Sequence, residues 1–82
     1  MALLLLSRPG CHLCEQLVTD LLTTFPALAT QISEADVDSR EDWQRRWGLK
    51  IPVLLDAVDG EPVCSTFFDA DVVAEWIRDR GI

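Results

Sequence analysis

Residues 3–26 read LLLLSRPGCHLCEQLVTDLLTTFP, and this stretch decides the fold. Leu3 to Leu6 form a short unbroken apolar run that stops at Ser7-Arg8-Pro9-Gly10. A run of this kind marks a strand buried on both faces, as in a parallel sheet. Pro9-Gly10 is a turn signal. A helical pattern follows, because Cys14, Leu17, Val18, Leu21, Leu22 and Phe25 fall at offsets 0, 3, 4, 7, 8 and 11 along one apolar face. Glu15, Gln16, Thr19, Asp20 and Thr23 take the opposite face, and Pro26 closes the helix.

Beyond this stretch, Gln31 to Val37 reads as a second strand. Ala35 and Val37 alternate with Glu34 and Asp36, while Ile32 falls out of phase, which suits a sheet edge. Ser39 is the expected N-cap of a short helix, with Asp42 as its capping-box partner. That helix carries Trp43 and Trp47 on one face and ends at Gly48, the expected C′ residue. Val53 to Leu55 reads as a third strand, entered through Ile51-Pro52. Asp59-Gly60 then turns the chain into a fourth strand near Pro62 to Ser65. Pro62 cannot donate to a ladder, so this strand belongs at the other edge. Asp69 caps a last helix that turns Val72, Val73, Trp76 and Ile77 inward, carries Arg78 and Arg80 in its final turn, and stops at Gly81. The order is β-α-β-α-β-β-α. It predicts an α/β fold with a four-stranded mixed sheet flanked by helices, the first βαβ unit being parallel.

The 82 residues suit one domain spanning 1–82. A hydrophobic fraction of 49% excludes a disordered chain. With 14 acidic and 7 basic residues the net charge is −7, and a field of that sign repels nucleic acid and anionic membranes. The apolar start at Met1-Ala2-Leu3 lacks a basic region and ends at Ser7-Arg8, short of a secretory signal; no stretch approaches a membrane span. The expectation is a cytoplasmic monomer without nucleic-acid or membrane partners.

The chemistry lies in Cys11-His12-Leu13-Cys14. Three cysteines is an odd count, which argues against a disulfide-scaffolded secreted domain. In a reducing compartment a C-x-x-C pair is redox-active or metal-binding rather than structural. Cys11 falls between a buried strand and a helix, at the N-cap or first turn. The unpaired N–H groups and partial positive charge there stabilise a thiolate. Cys14 lies one turn on, placed to resolve a mixed disulfide formed at Cys11. Arg8 and His12 flank Cys11, and a second basic group, Arg40, Arg45, Arg46 and Lys50, precedes Pro52. These cations are placed to lower the thiol pKa and attract an anionic thiol such as glutathione; the alternative for Arg40, Arg45 and Arg46 is a solvated helix face.

The strand, the Ser7–Cys14 segment and the helix resemble the active-site segment of the thioredoxin superfamily. Asp36-Val37-Asp38 and Gly48-Leu49-Lys50-Ile51-Pro52-Val53-Leu54 are similar to it as well. Element order and length most resemble glutaredoxins, in particular the small bacterial glutaredoxin-like branch, over nearly the whole chain. The resemblance implies thiol–disulfide exchange in cell redox homeostasis, with Cys11 as exposed nucleophile and Cys14 as buried partner. It implies a cis-proline at Pro52 and a backbone platform at Ile51 for an extended substrate. Arg8, His12 and Asp69 join these as expected substrate contacts, with glutathione a candidate co-substrate and no bound cofactor or metal. The chain departs from glutaredoxins at Ser65-Thr66-Phe67-Phe68-Asp69, where they carry Gly-Gly before the acidic residue that grips glutathione.

The remaining residues have plainer readings. Cys64 on a strand acts as a small hydrophobe, with a third redox thiol as the alternative. Trp43, Trp47 and Trp76 stand at core spacing. His12 tunes Cys11 or is simply exposed. The expected substrate is a disulfide-bearing protein or small thiol, served by an unidentified reductant. The alternatives are a thioredoxin-fold interaction or electron-relay module, or a metal or iron–sulfur cluster protein, for which one C-x-x-C supplies too few ligands.

Overall fold

The computed structural model describes residues 2–81; Met1 and Ile82, the two ends of the expected domain, lie outside them. The elements are β1 (Leu3–Ser7), α1 (His12–Thr24), a 3₁₀ stretch at Pro26–Thr30, β2 (Ile32–Asp36), a 3₁₀ turn at Val37–Ser39, α2 (Glu41–Trp47), β3 (Val53–Asp56), β4 (Pro62–Ser65) and α3 (Ala70–Arg80). One sheet has the order β2-β1-β3-β4. β1 runs parallel to β2 and antiparallel to β3, which is antiparallel to β4. Both expected edge strands are edges. This mixed sheet with three helices is a thioredoxin-like α/β fold. Among the described residues no helix is long and apolar enough to cross a membrane.

The alternation along β1 and β3 divides the core in two. Leu3, Leu5 and Leu54 face one side, where they pack with Leu17 and Leu21 of α1, Leu28 and Val73 of α3. Leu6, Val53 and Leu55 face the other side with Val37 and Trp47, and Leu4 and Trp43 lie against them. Each fully buried leucine contributes about 2 kcal/mol relative to an exposed one. The 3₁₀ stretch after Pro26 was not legible as an element, and its use is to drop Leu28 into the first core.

Three local expectations need correction. Ser39 does not cap α2, since its hydroxyl donates back to the Asp36 carbonyl at 2.6 Å. The Asp36 side chain accepts the Asp38 N–H, which winds the chain into the 3₁₀ turn, and the cap passes to Arg40, whose side chain makes no capping bond. Asp42 pairs with Arg40 instead. Gly48 is not left-handed (φ −55°). Its reason is space, because a Cβ there would lie 2.4 Å from the Gln44 carbonyl oxygen. Val72 is exposed, so α3 buries Val73 fully and Trp76 and Ile77 in part.

α3 is tied down by Asp56, which is 2% exposed. Its carboxylate accepts the Trp76 indole N–H at 2.9 Å and the Val58 N–H at 2.8 Å, and it pairs with Arg80. Burial alone would raise the pKa of this acid, but the Trp76 and backbone donors and the Arg80 charge outweigh it and hold the pKa below its ordinary value.

Candidate functional site

Parallel strands β1 and β2 end at the same side of the sheet, and α1 begins there. That is where open α/β sheets present their sites. The chain leaves β1 at Ser7, turns through Pro9-Gly10 and enters α1 at Cys11. Gly10 takes φ +77°, a conformation that costs glycine nothing. Cys11 is the N-cap of α1, in extended conformation, and its Sγ accepts the Cys14 N–H at 3.1 Å. One first-turn N–H thus points at the sulfur. Cys11 is partly exposed and Cys14 is 4% exposed. The two are joined as a disulfide, with Cα atoms 5.2 Å apart.

A cavity of about 300 Å³ opens beside the pair. Ser7, Arg8, Pro9, Gly10 and both cysteines line one side, and Glu15, Glu34, Ala35 and Asp36 complete it. Arg8 is drawn away from a purely electrostatic role. Its Nε and Nη2 donate to both oxygens of Asp38 at 2.7 and 2.9 Å, and Nη1 donates to the Gly48 carbonyl at 3.4 Å. The hydrogen bond to Arg8, then its charge, holds the Asp38 carboxyl below its ordinary pKa.

The second basic group does not reach this cavity. Arg40 pairs with Asp42 and lies over the Trp43 ring, Arg45 pairs with Glu41, and Arg46 and Lys50 lie over Trp47. For Arg40, Arg45 and Arg46 the solvated-face reading holds. The His12 side chain is 97% exposed, its Nδ1 lying 3.9 Å from Glu15. Sequence reasoning missed the acidic wall. Its one signal was the pair Glu34 and Asp36 on an edge strand that runs parallel to the strand feeding Cys11.

The Ile51–Pro52 peptide bond is cis. Pro52 is buried, Ile51 packs against the second core, and among the described residues no hydrogen bond outside the regular elements uses the Ile51 backbone. Thr66 brackets this segment. Its N–H donates to the Pro52 carbonyl at 2.7 Å and its hydroxyl to the Lys50 carbonyl at 3.1 Å. To do so it takes φ +69°, unusual for a β-branched residue. Sequence reasoning gave Thr66 no role.

Asp69 caps α3, with Oδ1 accepting the Asp71 and Val72 N–H groups. Phe67 is exposed, whereas Phe68 packs edge-on against Phe25. Phe67, Thr66, Leu13 and Leu17 line a shallow groove of about 170 Å³ on the far side of α1. Cys64 faces the first core, where burial pushes its thiol pKa up. Among the described residues no group of three or more His, Cys, Asp or Glu side chains is arranged to hold a metal ion.

A thioredoxin-like sheet with a C-x-x-C pair capping the helix after its first strand defines a class, the glutaredoxin-like proteins. The chain belongs to the glutaredoxin-like domain family (DUF836), which matches residues 2–78. Two solved structures share the fold over most of their length. Protein Ne2328 from Nitrosomonas europaea is 27% identical, with TM-score 0.80, 92% of this chain covered and 88% of that one. Structural-genomics target XcR50 from X. campestris is 29% identical, with TM-score 0.70 and coverages of 95% and 97%. Among curated proteins, the isoleucine–tRNA ligases of Laribacter hongkongensis and Thermosynechococcus vestitus are 37% and 43% identical over 62 and 61 residues. The chain spans only 6% of the length of these ligases.

Proposed function

We propose that this protein is a thiol–disulfide oxidoreductase working through Cys11 and Cys14. The observation that carries the reading is the asymmetry of the pair. Cys11 caps α1 and accepts an N–H at its sulfur, while Cys14 is buried one turn further on. In the reduced form the Cys11 thiolate attacks one sulfur of a substrate disulfide. A mixed disulfide forms, and the other substrate sulfur leaves as a thiolate that takes a proton from solvent. Cys14 then gives up its proton and attacks the Cys11 sulfur. The Cys11–Cys14 bond forms and the second substrate thiol leaves. The substrate has gained two electrons from the cysteine pair and two protons, one from solvent and one from Cys14. A thiol or dithiol reductant restores the pair.

In this reading the free Ile51 backbone groups beside Pro52 take an extended segment of the substrate by strand addition. Arg8 and His12 flank the reacting sulfur, and Asp69 offers its second carboxylate oxygen. The substrate is a disulfide on a protein or a small thiol, handled by a cytoplasmic monomer.

The test is a titration of the pair in defined thiol–disulfide buffers, quenched by alkylation and read by mass. The expected outcome is a reversible two-electron couple within about −270 to −120 mV, the span of C-x-x-C oxidoreductases. Failure to form the disulfide at any accessible potential overturns the dithiol mechanism.

A further inference from the structure

We propose that the dithiol selects disulfides carrying a cationic group beside the sulfur and disfavours anionic ones such as glutathione disulfide. The inference rests on the dithiol reading and names its substrate class. The cavity lined by both cysteines lies on the β2 side of the pair, apart from Ile51 and Pro52, and in this inference it takes the group next to the substrate sulfur. Three carboxylates line it, Glu15 from α1 and Glu34 and Asp36 from β2, and Arg8 is the one cation among its lining residues. Both oxygens of Asp38 already meet that guanidinium. His12 lies against Glu15 but does not line the cavity.

Two of the carboxylates are held in place. Glu34 accepts the Ser7 hydroxyl at 3.0 Å, and Asp36 accepts the Asp38 N–H at 2.8 Å. The local field is therefore negative, in the same sense as the net charge of −7. Opposite charges at such separations attract, and the attraction weakens with salt. A volume of about 300 Å³ has room for an ammonium or guanidinium on a short stem. Each half of glutathione disulfide brings two carboxylates against one ammonium and is repelled. The fitting partner is a protein disulfide whose cysteine is flanked by Lys or Arg.

Three small disulfides isolate the effect: cystamine (cationic), 2-hydroxyethyl disulfide (neutral) and dithiodiglycolate (anionic). Each is reduced by the reduced protein, with dithiothreitol as the regenerating dithiol. Each rate is divided by that of dithiothreitol alone with the same disulfide, which removes intrinsic reactivity. The expected order is cationic, neutral, anionic, with about a tenfold span at about 10 mM salt that collapses at about 500 mM. In the double variant Glu34→Gln, Asp36→Asn, which keeps both hydrogen-bond acceptors, the cationic-to-anionic ratio falls toward one. The salt series on the parent chain stands even if the variant folds poorly. A flat or reversed order in the parent chain overturns the charge selection while leaving the dithiol reading intact. No reduction of the neutral disulfide overturns the dithiol reading and this inference together.

Discussion

Cys11 and Cys14 are one helical turn apart and differ most in their access to water. Cys11 has the helix N-terminus and the Cys14 N–H to stabilise its thiolate, and it is partly exposed. Cys14 is buried, and burial raises the thiol pKa of Cys64. After reduction and brief iodoacetamide treatment at pH 6, peptide mapping should find Cys11 labelled ahead of the other two, because the thiolate is the reacting form. Cys14 or Cys64 labelled first would reverse the assigned roles. The placement of the cysteine pair at the start of α1 was legible in the sequence, because it is set by neighbours within one turn. Arg8 was only half legible. Its place beside Cys11 is local, but its partners Asp38 and Gly48 lie 30 and 40 positions away and meet it only through the fold.

At the scale of elements, β1, α1, β3 and α3 announce themselves through periodicity and caps, and they form where the pattern puts them. The start of α2 was misread because two polar side chains compete for one stretch of backbone. The Asx turn of Asp36 wins, and Ser39 is absorbed into it. Gly48 was recognised as a helix end for the wrong physical reason. It is chosen for close approach to the Gln44 carbonyl, not for a left-handed backbone. Gly48→Ala should therefore force the end of α2 away from the Gln44 carbonyl and disturb the nearby Arg8 side chain, costing about 1–3 kcal/mol. Urea midpoints at constant slope measure this; a change under about 0.5 kcal/mol would show that the turn relaxes freely. The acidic wall and the Thr66 bracket escaped sequence reading because each depends on strand register.

At the scale of the molecule, the parallel β1–β2 unit, the β3–β4 hairpin and the two edge strands followed from the sequence, since short connections and strand chirality leave few alternatives, whereas the antiparallel pairing of β1 with β3 did not. What joins the layers did not, because Asp56, Trp76 and Arg80 meet only after α3 folds back on the hairpin. The network makes stability depend on acid. The folded-state pKa of Asp56 lies below its ordinary 3.8, so its contribution is complete above that value and is lost as pH falls through the depressed one. Asp38 and Asp42 act in the same sense at the surface. Urea midpoints should thus be level near neutrality and fall steeply below about pH 4. Asp56→Asn should start lower and fall less; a parallel fall would place the acid sensitivity elsewhere.

The two-sided core also gives the molecule a pair of separate optical reporters. Trp43 and Trp47 belong to the α2 side of the sheet, and Trp76 belongs to the α3 side with its indole nitrogen on Asp56. A chain keeping only Trp76 emits from the hairpin–α3 junction, and one keeping only Trp47 emits from beneath α2. Comparing their denaturation curves distinguishes loss of the two layers in one cooperative event from shedding of one layer before the other.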